Sequence, residues 1–160
     1  MSMLSTAQLQ KIALLSDTVL YNEAVAFIRK LVREQDCAPL PNSQVNGLFS
    51  IAESSSYDEL YRFVVHQRDR NWPPSKRDIK TFYTALEQEL SLMYRKRLKD
   101  EFLLLTQQNA QEMRKEANDV MALLAREYIQ HLMAENGVLQ AEAEADDKRK
   151  QNRYQKQGRR

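Results

Sequence analysis

An all-α fold is expected, a compact helical bundle of about five helices with a long C-terminal helical pair and a charged tail. Three observations predict it. Only three glycines and four prolines interrupt 160 residues, while Ala, Leu, Glu, Gln, Lys and Arg, all with high helix propensity, are abundant. Apolar residues recur at three- and four-residue spacing, and no stretch shows the strict alternation of a strand. A chain of this length buries roughly 68–70% of its unfolded surface, so it needs neither metal nor disulfide to fold.

The first helix begins near residue 6, where Ser5 and Gln8 form a capping box in which the hydroxyl accepts a helical N–H and the amide reaches back. Leu9, Ile12, Ala13, Leu20, Ala24, Phe27, Ile28, Leu31 and Val32 carry its apolar pattern as far as Arg33. Ser16-Asp17 marks a place where one long helix could divide into two. Pro39 and Pro41 end it, since proline lacks the N–H and pushes its predecessor out of the helical region.

Asn42 or Ser43 is expected to cap a short second helix with Val45, Leu48, Phe49 and Ala52 on one stripe, and Gly47 permits close approach of a neighbour. A serine turn follows, then the capping box of Ser56 and Glu59 and a third helix carrying Leu60, Tyr61, Phe63 and Val64 as far as Arg70. Asn71-Trp72-Pro73-Pro74 is a stiff connection. Ser75 is the expected cap of the fourth helix, with Asp78 in its first turn, where a negative charge suits the helix dipole.

Ile79, Phe82, Tyr83, Leu86, Leu90 and Met93 form the clearest core-facing stripe in the chain. Beyond it Arg97 falls on the apolar line while Leu98, Phe102 and Leu105 lie well round from it, so the helix must kink or meet a different neighbour. The fifth helix is expected from about Gln111 to Ala134, with Met113, Ala117, Val120, Met121, Leu124, Tyr128 and Leu132 inward and Gly137 as the stop.

Residues 1–138 thus read as the bundle domain and 139–160 as a charged tail, flexible unless bound. The tail places Glu142, Glu144, Asp146 and Asp147 before Lys148, Arg149, Lys150, Arg153, Lys156, Arg159 and Arg160, with almost nothing apolar to bury. The net charge of +2 therefore conceals segments of opposite sign. Cys37 is the only cysteine, which excludes an internal disulfide and fits a reducing cytoplasmic setting. Neither export nor membrane insertion is expected, for want of a basic leader or a run of 18 apolar residues.

No catalytic pattern stands out. With glycines only at 47, 137 and 158, no phosphate-cradling loop can form. His66 and His131 each lack a second metal-ligating residue at helical spacing, and the carboxylates are scattered as solvated helix residues are. No enzyme activity, cofactor or metal is expected.

Charge geometry is more informative. On the fourth helix Arg77, Lys80, Thr84, Gln88, Ser91 and Arg95 fall within a sector roughly 80° wide that runs about 27 Å along the axis. Asp78 and Glu89 point elsewhere, and Glu87 borders it. Just before it stand His66, Gln67, Arg68, Arg70, Trp72 and Lys76. Positive charges with hydrogen-bonding amides and one aromatic suit a sugar-phosphate backbone, with Trp72 available to stack on a base.

Residues 41–52, Pro-Asn-Ser-Gln-Val-Asn-Gly-Leu-Phe-Ser-Ile-Ala, followed by Phe63-Val64-Val65-His66-Gln67-Arg68-Asp69-Arg70, resemble the small subunits of type III CRISPR effector complexes. The resemblance lies in a Ser-Gln-aliphatic motif opening a short helix and a later helix carrying basic residues, over about residues 40–100. It implies a compact helical bundle that stacks along an RNA-guided complex of antiviral defence. Such a subunit packs against the backbone subunits and copies of itself, and helps hold guide RNA and target RNA without cutting them.

Two expectations follow. In the first the chain is a non-catalytic, RNA-contacting small subunit of such a complex, with His66, Gln67, Arg68, Arg70, Trp72, Lys76, Arg77, Lys80 and Arg95 facing nucleic acid. In the second it is a helical scaffold or adaptor that binds protein partners without nucleic acid, the charged face being only solvated.

Overall fold

A computed structural model describes residues 4–158, and every regular element among them is helical. Arg159 and Arg160 of the expected tail lie outside the described residues. Helix α1 covers residues 6–34, α2 Asn42–Ser54, α3 Tyr57–Asp69, α4 residues 77–101 and α5 Ala110–Gln157. Helix α5 is the spine, with α1, α2, α3 and the end of α4 packed against its first half while α3 and α4 lie side by side. No helix among these residues is long and apolar enough to cross a membrane.

The α1 capping box forms as expected: Gln8 N donates to Ser5 Oγ at 3.1 Å and Ser5 N to Gln8 Oε1 at 2.8 Å. Ser16-Asp17 does not divide the helix. The chain instead widens there into a π-helical turn, Ser16–Leu20, and again at Lys30–Glu34. Each extra residue rotates the following stripe, which is why Leu20, Ala24, Ile28 and Leu31 are buried while Leu9 and Ala13 are exposed.

The same device resolves the mismatch on α4. Met93–Glu101 winds as a π-helix, so Arg97, Leu98 and Phe102 all turn inward. Arg97 is 8% exposed and bidentate to Glu23 on α1, at 2.6 and 2.7 Å, with Glu101 closing its other edge at 2.7 and 2.9 Å. Its guanidinium lies over the Phe102 ring, 4.5 Å from the ring centre. A buried cation met on both sides by carboxylates ties α4 to α1 without an orphan charge.

Two sequence-based caps are corrected. The residue before α2 is Pro41, with no side-chain cap, because Asn42 is already the first helical residue and its Oδ1 accepts from Gln140. Ser75 does not cap α4: Pro74–Lys76 forms a 3₁₀ turn running directly into Arg77, and Asp78 accepts from Ala38 N at 2.9 Å. Neither α1 nor α4 ends on glycine. Asp36 and Leu103 take the left-handed conformation, φ 53° and 51°, and six-residue bonds from Cys37 N to Leu31 O and from Leu104 N to Leu98 O close both ends.

The largest correction concerns Gly137. Helix α5 does not stop there but continues to Gln157. A glycine stop requires a positive φ, which no described glycine has. Asn136, fully buried, clasps Leu40 with both ends of its amide, accepting from Leu40 N at 2.8 Å and donating to Leu40 O at 3.0 Å, and Gln140 donates to the same carbonyl at 2.7 Å. Polar anchors on either side carry the helix through the glycine. Leu139 is still buried, which moves the end of packing one residue past the expected boundary, and residues 141–157 are all exposed.

Candidate nucleic-acid interface

Helices α3 and α4 meet in a corner at their connection, and local bonding fixes its shape. Trp72 is half-buried, and its Nε1 donates to Gln67 O at 2.6 Å, while the Arg70 guanidinium lies 4.3 Å from its ring centre. Lys80 Nζ donates to Arg68 O at 3.0 Å, using the free carbonyls at the end of α3 as a cation seat. The proposed contact residues from 66 to 80 are therefore neighbours in space. Arg95 stands four turns further along α4 on the same side, roughly 22 Å from Lys80 at 1.5 Å per residue.

These residues are not equivalent. Gln67 is only 8% exposed and accepts from Arg70, so it is a strut of the corner and not a surface contact. Trp72 likewise has one ring face covered by Arg70 and its N–H engaged, which leaves only its other face to pack against a ligand. Arg68 is neutralised by Asp69 at 2.8 Å and Glu87 at 3.4 Å. Its hydrogen bond holds Asp69 below the usual carboxylate range.

Glu87, read as bordering the basic sector, sits inside it. Tyr61 O–H donates to it at 2.6 Å and Ser91 O–H at 2.8 Å. The Tyr61 bond, helped by Ser91 and by the charges of Arg68 and Arg95, outweighs partial burial and lowers its pKa. Thr84 and Ser91 spend their hydroxyls within the fold, on Lys80 O and Glu87. By contrast Arg70, Lys76, Arg77, Lys80 and Arg95 are exposed and make no ion pair among the described residues. His66 is exposed beside them.

Two shallow depressions that share Gln88 follow α4, one of 340 Å³ beginning at Lys80 and one of 350 Å³ ending at Arg95 and Lys96. Lys96 and the exposed Arg62, one turn before His66 on α3, add to the basic set and were missed. The i,i+4 spacing of Arg62 and His66 was the available signal. Adjoining the two depressions, and sharing Leu31, Gln35, Ala85 and Gln88 with the first, a cleft of 570 Å³ between α1, α4 and α5 is lined by Glu23, Glu89 and Arg97 with Phe27 and Tyr128. Burial, with Glu23 nearby, raises the pKa of Glu89. The basic surface is thus a strip with an acidic margin.

No family model, curated protein or solved structure matches this chain. The chemistry must be weighed on its own geometry. One cluster joins a serine, a histidine and a carboxylate: Ser16 donates to Glu127 at 2.7 Å and lies 2.9 Å from His131 Nε2. It lacks the order of a nucleophilic triad, because the carboxylate holds the hydroxyl and not the far nitrogen of the imidazole. Ser16 is also buried at a π-turn, and the contact ties α1 to α5. Among the described residues no three His, Cys, Asp or Glu side chains are grouped to hold a metal ion.

Proposed function

We propose that the chain is a non-catalytic, RNA-contacting small subunit of a multisubunit RNA-guided effector complex of the type III CRISPR kind, working in the cytoplasm on guide and target RNA. The observation that carries the reading is the set of unneutralised cations Arg70, Lys76 and Arg77 at the α3–α4 corner, continued by Lys80 and Arg95, each in one of two shallow depressions that share Gln88. Phosphates are drawn to clustered exposed cations, and the bound counterions they release make such binding salt-dependent. The sequence resemblance over residues 40–100 supports the same reading and supplies the partners.

The contact set narrows to Arg70, Lys76, Arg77, Lys80 and Arg95, with Gln67, Arg68 and Trp72 holding the corner in shape. Changing Arg70, Lys76 and Arg77 together to Ala is expected to weaken binding to single-stranded RNA, with only the small loss of melting temperature that follows from removing the Arg70 contacts to Gln67 and Trp72. It should also flatten the slope of log affinity against log salt by about 2, three contacts at about 0.7 each. Unchanged affinity and slope would remove the reading.

A protein adaptor is the second reading, favoured by one observation, the exposed helix 141–157 that reaches roughly 25 Å beyond the last packed turn. It predicts assembly that survives nuclease treatment and is lost when the chain ends at Gln140.

A further inference from the structure

A separate cavity of 210 Å³ opens beside the basic corner, between the 38–41 linker, the first turn of α2 and the stretch from Trp72 to Ile79. It is smaller than the roughly 300 Å³ at which pockets for drug-sized ligands begin, a size that suits one planar heterocycle. Its walls are flat and stiff, since Trp72, Pro39 and Pro41 line it. Its rim is polar. Ser43 and Ser75 are exposed there, and neither hydroxyl makes a hydrogen bond among the described residues. Asp78 Oδ2 accepts from Ala38 N, which leaves Oδ1 free to accept from a ligand.

The cavity is also held open in advance. Asn136 fixes Leu40 through both backbone groups, Asp78 fixes Ala38, and the bond from Trp72 to Gln67 O together with the Arg70 stack fixes the indole. Pre-formed walls lower the ordering cost of binding. Ser43 and Gln44, in the first turn of α2, both line it, and Tyr83 O–H donates to Gln44 Oε1 at 3.0 Å. Lys76 stands at the mouth, next to Arg77.

We infer that this cavity takes one unpaired nucleobase of a single-stranded RNA, its phosphates resting on Lys76 and Arg77, an assignment that rests on the RNA reading above. Trp72 and the prolines pack the base, and the free oxygen of Asp78 accepts from an exocyclic amine, as carboxylates do from cytosine N4. Cytosine, adenine and guanine carry that amine and uracil does not. The pocket therefore favours the first three.

Trp72 is the only tryptophan, so its fluorescence reports on the cavity directly. The full chain is titrated at low salt with oligocytidylate about eight nucleotides long, with oligouridylate, and with an abasic oligoribonucleotide of the same length and charge. Oligocytidylate is expected to quench Trp72 and bind roughly tenfold tighter than the abasic strand, with oligouridylate between. Ser43→Leu blocks the mouth from an exposed position without hydrogen bonds, and should abolish the quench and the tenfold difference while leaving abasic affinity unchanged. Equal affinity for cytidylate and abasic strands with no quench overturns the pocket and leaves the phosphate contacts standing. A quench that persists in the Ser43→Leu chain also overturns it. If neither strand binds, the RNA reading falls and the pocket with it.

Discussion

The two halves of α5 are one continuous helix held by different physics. From Glu116 to Leu139 the helix turns Val120, Met121, Leu124, Ala125, Tyr128, Ile129 and Leu132 into the core, and burial of the Val, Met, Leu and Ile side chains among them stabilises by about 1.5–3 kcal/mol each. From residue 141 onward every side chain is exposed. There the helix depends on intrinsic propensity and on exposed ion pairs, Asp146 with Arg149 one turn on at 3.8 Å and Glu142 with Arg33 of α1 at 3.3 Å, each worth no more than about 1 kcal/mol. The comparison teaches that continuity of secondary structure says little about where stability lies. Gly137, between the halves, has no atom within 4 Å of where a Cβ would stand, so nothing about packing demands glycine there.

The widest contrast comes from truncating one side chain in each half. Leu124→Ala should cost about 3–4 kcal/mol through lost burial and a residual cavity, whereas Tyr154→Ala, 75% exposed, should stay within about 0.5 kcal/mol. Urea unfolding of both variants measures this, and equal losses would mean that the extension packs against something in the free chain.

A smaller effect tests the polar contacts at the start of α5. Glu116, 2% exposed, accepts from Gln8 Nε2, from Thr106 N and Oγ1, and from Gln107 N. Burial pushes its pKa up, but these four donors prevail and hold it below 4.5. A carboxylate with a depressed folded pKa contributes stability above its unfolded pKa, and that contribution is lost as pH falls through the folded value. Glu116→Gln should therefore cost about 2 kcal/mol at neutral pH and progressively less below pH 4.5. A gap that is the same at pH 3 and pH 7 would show that the charge is not what the donors hold.

The smallest effect belongs to the extension as a whole. Ending the chain at Gln140 should reduce the far-ultraviolet helical signal while moving the melting temperature by no more than about 2–4 °C, the shift of roughly 1 kcal/mol. Raising salt should lower the helical signal of the full chain more than that of the shortened one, because screening weakens only exposed pairs.

Much of the fold was legible in the residues alone. The α4 stripe from Ile79 to Met93 and most of the α5 stripe are buried as their spacing requires, since helical periodicity is a local property that any apolar neighbour will satisfy. The Ser5–Gln8 box was legible for the same reason: both partners lie within one turn. The candidate site was legible as a list of cations. What could not be read was which of them are free, because Arg68 is neutralised partly by Glu87, nineteen positions away in number but adjacent across the α3–α4 contact.

Sequence by itself thus determined that this protein is a bundle of amphipathic helices with a basic face and a charged end, because composition and spacing act within a few residues. Only the tertiary structure decided where α5 ends and which polar groups are used. Asn136 carries the helix through Gly137 by gripping Leu40, 96 positions earlier, and the π-turns at Ser16–Leu20 and Met93–Glu101 re-aim whole stripes toward neighbours that no local pattern announces. Buried polar groups must find partners wherever the fold brings them, and that requirement has no period in sequence.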